Sequence, residues 1–214
     1  GDIRVGSASW IHPDANGTNG AVVRFRCANA RIAAGGGFDA DGRGFLGGFL
    51  TLRRAGYGPG AGGVDNCGPG GGYGGRGGDA WEMTKGWGAL GGPSYGMIAG
   101  PVWPGSGGGS QSGGHGGNGG GAIWLEAAGL VQVDGMASAN GGMADGYSGG
   151  GSGGGILVLA ARFVGGASAI LRANGSDGAN PPRGGPAGGG RIVVGVGLTA
   201  GERDRLLAGQ SRNL

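Results

Sequence analysis

Runs of glycine alternate with short aliphatic segments along most of this chain, and the order of the alternation repeats. Residues 149–196 read GGGSGGG, ILVLAA, RFV, GGASAILRANGSDGANPPRGGPAGGG and RIVVGV. Of the 214 residues, 65 are glycine. Such a fraction in a chain without a strict triplet period normally signals low complexity. Collagen is excluded, because glycine does not hold every third position over any long stretch. Disorder is disfavoured too. Hydrophobic residues make up 38% of the chain, and they fall in alternating blocks rather than being diluted.

The blocks recur in one order. AIWLEAA at residue 122 is followed by GLVQVDG and MASANGG; ILVLAARF at residue 156 is followed by ASAILRANG; RIVVGV begins at residue 191. An earlier copy, AVVRFRC at residues 21–27, places Val23, Phe25 and Cys27 on one face and is followed by ARIAA. Comparable strands begin near residues 22, 123, 156 and 192, so the later spacings are 33 and 36. A near-fixed period of this size marks stacked repeats. The apolar pattern has period two, and glycine is too frequent for helix interiors. The expected fold is all-β: a parallel β-helix or solenoid-like stack within one domain, residues 1–214. Asn140-Gly141 and Asn174-Gly175 are expected to turn its corners at positive φ.

The glycine runs at 68–78, 105–121, 149–155 and 184–190 are expected to pack beside the strands as extended polyglycine-II threads. Without Cβ atoms such threads approach closely and bond backbone to backbone. Residues 43–104 interrupt the repeat with Tyr57, Tyr73, Trp81, Trp87, Tyr95 and Trp103, an aromatic-rich insertion expected to cover one flank or end. The tail, residues 197–214, holds the one helix-like segment. Thr199 is placed to cap it, with Glu202 in the first turn and Leu206 and Leu207 docking.

Net charge is +3, and the arginines are scattered, with Arg53-Arg54 the longest basic run. Nucleic-acid binding would want a basic stripe. No stretch approaches eighteen consecutive apolar residues, so no membrane span is expected. The chain starts at Gly1 with a strand-like segment, which suggests a processed chain or an excised fragment. The default reading of Cys27 and Cys67 in an extracellular setting is one disulfide. It would close a loop of about 40 residues, worth roughly 4 kcal/mol.

No convincing active site emerges, and no cofactor is called for. His12 and His115 are far apart in sequence and lack neighbouring ligands at zinc spacing. Asp39, Asp41 and Gly42 open like a calcium loop, but the twelfth position is Leu50, which cannot ligate. The one lysine, Lys85, precedes Gly86 and Trp87 instead of completing a phosphate loop. Asn16-Gly17-Thr18 and Asn174-Gly175-Ser176 fit the glycosylation pattern. Ice binding lacks its threonine array, since Thr18, Thr51, Thr84 and Thr199 form no ladder. A polysaccharide lyase would rest on fold analogy alone.

The motifs at residues 70–78, 91–96, 104–109, 119–127, 133–142, 149–156 and 188–194 together resemble a glycine-rich module of large secreted and cell-surface proteins, chiefly bacterial. The resemblance covers roughly residues 20–196. It implies a right-handed β-helix-like repeat in an extracellular or cell-surface protein, and it brings no catalytic residues. The expected function is structural: a subunit of a self-assembling filament or surface matrix, stacking head to tail on copies of itself. The alternative is an adhesin that holds cell-surface glycans through Trp81, Trp87, Trp103 and nearby arginines.

Overall fold

Each aliphatic block becomes a strand, because alternate residues have somewhere apolar to point. A computed structural model describes residues 1–49, 54–86, 88–111 and 113–208. Its strands are β1 (Ile3–Val5), β2 (Trp10–Ile11), β3 (Arg24–Cys27), β4 (Ala30–Ile32), β5 (Gly37–Asp39), β6 (Ala122–Ala127), β7 (Leu130–Val133), β8 (Met136–Ser138), β9 (Gly155–Ala160), β10 (Arg162–Gly165), β11 (Ile170–Arg172) and β12 (Arg191–Val196). They form three four-stranded sheets: I, in order β1-β4-β7-β10; II, in order β2-β5-β8-β11; and III, in order β3-β6-β9-β12. Every pairing within them is parallel. The chain therefore visits III, I and II in turn and returns to III one strand further along. Register follows the sequence repeat, since Ile123 pairs with Ile156 and Ile156 with Ile192.

The side chains enclosed by the three sheets make the main core. Ile123, Leu125, Ile156 and Val158 come from sheet III, Ile32, Val131 and Val133 from sheet I, and Phe38 and Ala137 from sheet II. Strand β9 is buried at all six positions. Its Ile156 and Val158 enter this core, whereas Leu157 and Leu159 meet Val102, Trp103 and Trp124 on the outer face. Burial on both faces explains why β9 reads as a continuous apolar run instead of an alternating one. The helix α1 (Ala200–Ala208) brings Leu206 and Leu207 to the same outer cluster. Its N-terminus is closed reciprocally: the Thr199 N–H donates to Glu202 Oε2 at 2.8 Å, and the Glu202 N–H to Thr199 Oγ1 at 3.3 Å.

Between β5 and β6 the chain leaves the sheets, and its glycine runs bond to one another. In residues 105–110 the bonding direction recurs every third residue. The Gly105 and Gly108 N–H groups donate to Gly120 and Gly117, at 2.7 and 2.9 Å. Their carbonyls accept from Phe45 and Gly48 on a second neighbour, at 3.1 and 2.8 Å. The Ser106 and Gly109 carbonyls accept from Ser152 and Gly149 on a third, at 3.0 and 2.9 Å. Gly107 exchanges bonds with Tyr57 and Gly62, and the Gly109 N–H donates to Pro69. A strand in a sheet has two bonding neighbours; this segment bonds to five other stretches of the chain, 45–48, 54–62, 69, 117–120 and 149–152.

Two expectations require correction. Gly141 and Gly175 do not turn at positive φ, in contrast to Gly42 and Gly146. They are glycine because a Cβ there would overlap the carbonyls of Gly151 and of Ala187 and Gly188, respectively. The corner is held by side-chain acceptors instead. The Asn140 N–H donates to Asp41 Oδ1 at 2.7 Å, and the Asn174 N–H to Asn140 Oδ1 at 2.8 Å, one coil to the next. The Cys27–Cys67 disulfide is also absent, and both thiols are free. The Cys27 Sγ–H donates to the Glu126 carbonyl at 3.6 Å on sheet III, whereas Cys67 lies near Glu82, Asp65 and Arg183. Burial pushes both thiols up from their ordinary range.

Candidate functional site

Three surfaces bring polar or exposed apolar groups together. The first is the outer face of sheet III at β3 and β6. Glu126 is buried there; its Oε2 accepts from the Arg24 guanidinium at 2.5 Å and its Oε1 from Trp124 Nε1 at 2.7 Å. Arg24 also lies over the Trp124 ring, 4.8 Å from its centroid. Both carboxylate oxygens are engaged, so this is a tie between two strands rather than a reactive acid.

The second surface is the pair of stack ends. Each sheet finishes on a strand with one neighbour: β1, β2 and β3 at one end, and β10, β11 and β12 at the other. The strands at the latter end expose Val164, Ile170, Ile192 and Val196, each between 40% and 49%. The interior strands β6 and β9 expose no large aliphatic side chain.

The third is a groove made of three adjoining hollows. One, of about 430 Å³, is lined by Leu46, Phe49, Tyr57, His115, Asn118 and Met143. The next, of about 670 Å³, shares Met143 and adds Asn140, Asp145, Asn174, Ser176 and Asp177. The last, of about 600 Å³, shares Asp177 and is walled by Asp79, Trp81, Pro181, Pro182 and Pro186. Phe49 stacks on the His115 ring with centroids 4.6 Å apart. His115 Nδ1 donates to Asp145 Oδ2 at 2.8 Å, and the His115 N–H donates to Asp145 Oδ1. The side chains of Asn174 and Asp177 are exposed and make no hydrogen bond among the described residues.

The bonds from His115 hold the Asp145 carboxyl below the usual carboxylate range. Their contribution to stability is present above about pH 3.9, the unfolded aspartate value, and is lost as pH falls through the lowered native value. A carboxyl-carbon NMR titration should place Asp145 below an ordinary aspartate, and His115→Ala should move its midpoint up. An unmoved midpoint would remove the pair from the account.

The tryptophans separate. Trp81 is 45% exposed in the groove wall. Trp103 is half-buried against Val102, Leu157 and Leu159. Trp87 lies outside the described residues. Sequence reasoning did not single out Phe49, Asn140, Asn174 or Asp177 as one surface. The repeated alanine–Asx–glycine corner was the signal that links two of them. Among the described residues no group of three or more His, Cys, Asp or Glu is placed to hold a metal ion, and no helix is long and apolar enough to cross a membrane. No family model, no curated protein and no solved structure matches the chain.

Proposed function

We propose that this chain is an extracellular structural module, a right-handed solenoid of three-sided coils roofed by polyglycine-II threads, which stacks end to end with copies of itself into filaments or a surface matrix. One observation carries the reading: each end offers one edge strand per sheet, and the strands at one end carry exposed aliphatic side chains. An unpaired strand edge is a template for another chain. Setting β1, β2 and β3 of a second copy against β10, β11 and β12 of the first would continue all three sheets in the same order. The contact is head to tail and does not close, so it propagates as a fibre. The glycine-rich resemblance and the three-residue bonding alternation of the threads support the same reading.

Negative-stain microscopy and sedimentation at rising concentration test it. The expected result is rods whose length grows with concentration. Ile170→Lys with Val164→Asp should leave folded single copies, since both positions are solvent-exposed in the isolated chain. Monodisperse single copies of the unmodified chain at every concentration and salt would overturn the proposal.

A further inference from the structure

We infer that the three-hollow groove is a binding site for an uncharged linear polysaccharide. It shares no residue with the end strands, so it stands apart from end-to-end association. Each terminal hollow carries exposed aromatic surface: Phe49, 44% exposed, in one and Trp81, 45% exposed, in the other. Between them lie Asn140, Asn174, Ser176 and Asp177. A sugar ring has an apolar C–H face that lies on an aromatic ring, and a rim of hydroxyls that both donate and accept. Amide, hydroxyl and carboxylate groups along the middle of the groove meet such a rim.

Two further observations narrow the ligand. The unengaged acceptors belong to the groove itself. Asp41 and Asn140 each use a side-chain oxygen on the next coil's backbone, while the Asn174 amide has no such follower and stays open to a ligand. Charge sets the class. Asp79 is paired with Arg76 at 2.5 Å and Asp145 accepts a hydrogen bond from His115 at 2.8 Å, which leaves Asp177 as the groove carboxylate with no such partner among the described residues. The two nearest cations in sequence are engaged elsewhere: Arg172 lies 3.6 Å from Asp41, and Arg183 is turned onto the Tyr147 ring, 4.3 Å from its centroid. A uronic-acid or sulfated chain would meet an uncompensated negative charge midway along, whereas a neutral chain would gain an acceptor. Rigidity comes from the backbone, because the walls rest on glycine threads cross-bonded in several directions. Little conformational freedom remains to be lost on binding.

Calorimetric titration of the full chain with cellohexaose and with N-acetylchitohexaose tests this, with polygalacturonate as the anionic comparison. At least one neutral hexasaccharide should bind saturably, its disaccharide about tenfold or more weakly, and polygalacturonate worse than either hexamer. Trp81→Ala and Phe49→Ala should each weaken hexasaccharide binding about tenfold, the size of one lost aromatic contact. Both side chains are nearly half exposed, so unchanged thermal unfolding of the variants shows that the fold is kept. No binding by either neutral hexamer, equal affinity for the disaccharide, preference for polygalacturonate, or full affinity in both variants would each overturn the inference.

Discussion

Gly188→Ala is expected to lower stability by about 2–4 kcal/mol, whereas Gly189→Ala, one residue further on, leaves it unchanged or slightly raised. A methyl group on Gly188 would overlap the Gly75 carbonyl, and there is no flexible side chain to give way. The Gly188 N–H donates to Gly71 and its carbonyl accepts from Gly153, at 2.9 and 3.0 Å, so a shift of this segment also strains bonds to two neighbours. At Gly189 the nearest atom to an added Cβ, the Ala173 carbonyl oxygen, lies 4.0 Å away, and φ is not left-handed. Alanine there costs nothing in the folded state and restricts the unfolded chain. Gly190 is again closed, against the Gly154 carbonyl. Thermal unfolding by circular dichroism should show Gly188→Ala melting about 5–15 °C lower at this chain length. Equal melting of the two variants would mean that these glycines are loops rather than packing surfaces.

That contrast also explains how so glycine-rich a chain can stay folded. Ordering glycine costs more backbone entropy than ordering any other residue. A lone run could not recover it. Residues 105–110 recover it by bonding to five other stretches of the chain, because successive residues face different neighbours, the direction recurring every third residue, and no Cβ holds the neighbours apart. The cost is met collectively, so each thread is ordered only while the others are.

The parts of the fold legible in the sequence are those with long apolar periods. Strands β6, β9 and β12 and their register could be read from Ile123, Ile156 and Ile192, and the helix from Thr199, Glu202 and the leucine pair. The short strands gave little signal. Phe38, fully buried, sits in GGGFDADG, a stretch whose composition reads as a turn. β2 spans Trp10–Ile11 alone. The cysteines gave no sign of their separation, because spacing says nothing about which coil or thread a residue joins. The groove was hidden for the same reason. Phe49, Trp81, Asn140 and Asp177 are far apart in sequence and meet only because the glycine threads pack in one arrangement. A hydrophobic pattern can report a strand, but it cannot report which glycine runs become neighbours.

Phe38→Ala should cost about 3–5 kcal/mol, the range for a buried aromatic removed from a core. The surroundings cannot collapse to fill the space. Ala30, Ala40 and Ala137 are fully buried or nearly so, and their side chains are already minimal. Phe25 meets Phe38 edge-on with centroids 5.3 Å apart, and that contact is lost too. Phe38→Leu should recover a substantial part by restoring volume. The loss should also be uneven in space. In a stack each coil contacts chiefly its neighbours, so a cavity in β5 weakens β2 and β8 before it reaches β11 and β12. Hydrogen exchange on Phe38→Ala should therefore show the amides of β1 to β5 opening at lower free energy, with β9 keeping most of its protection. Uniform loss of protection across all three sheets would instead make the stack a single cooperative unit, with the glycine layer coupling its coils more tightly than the strands do.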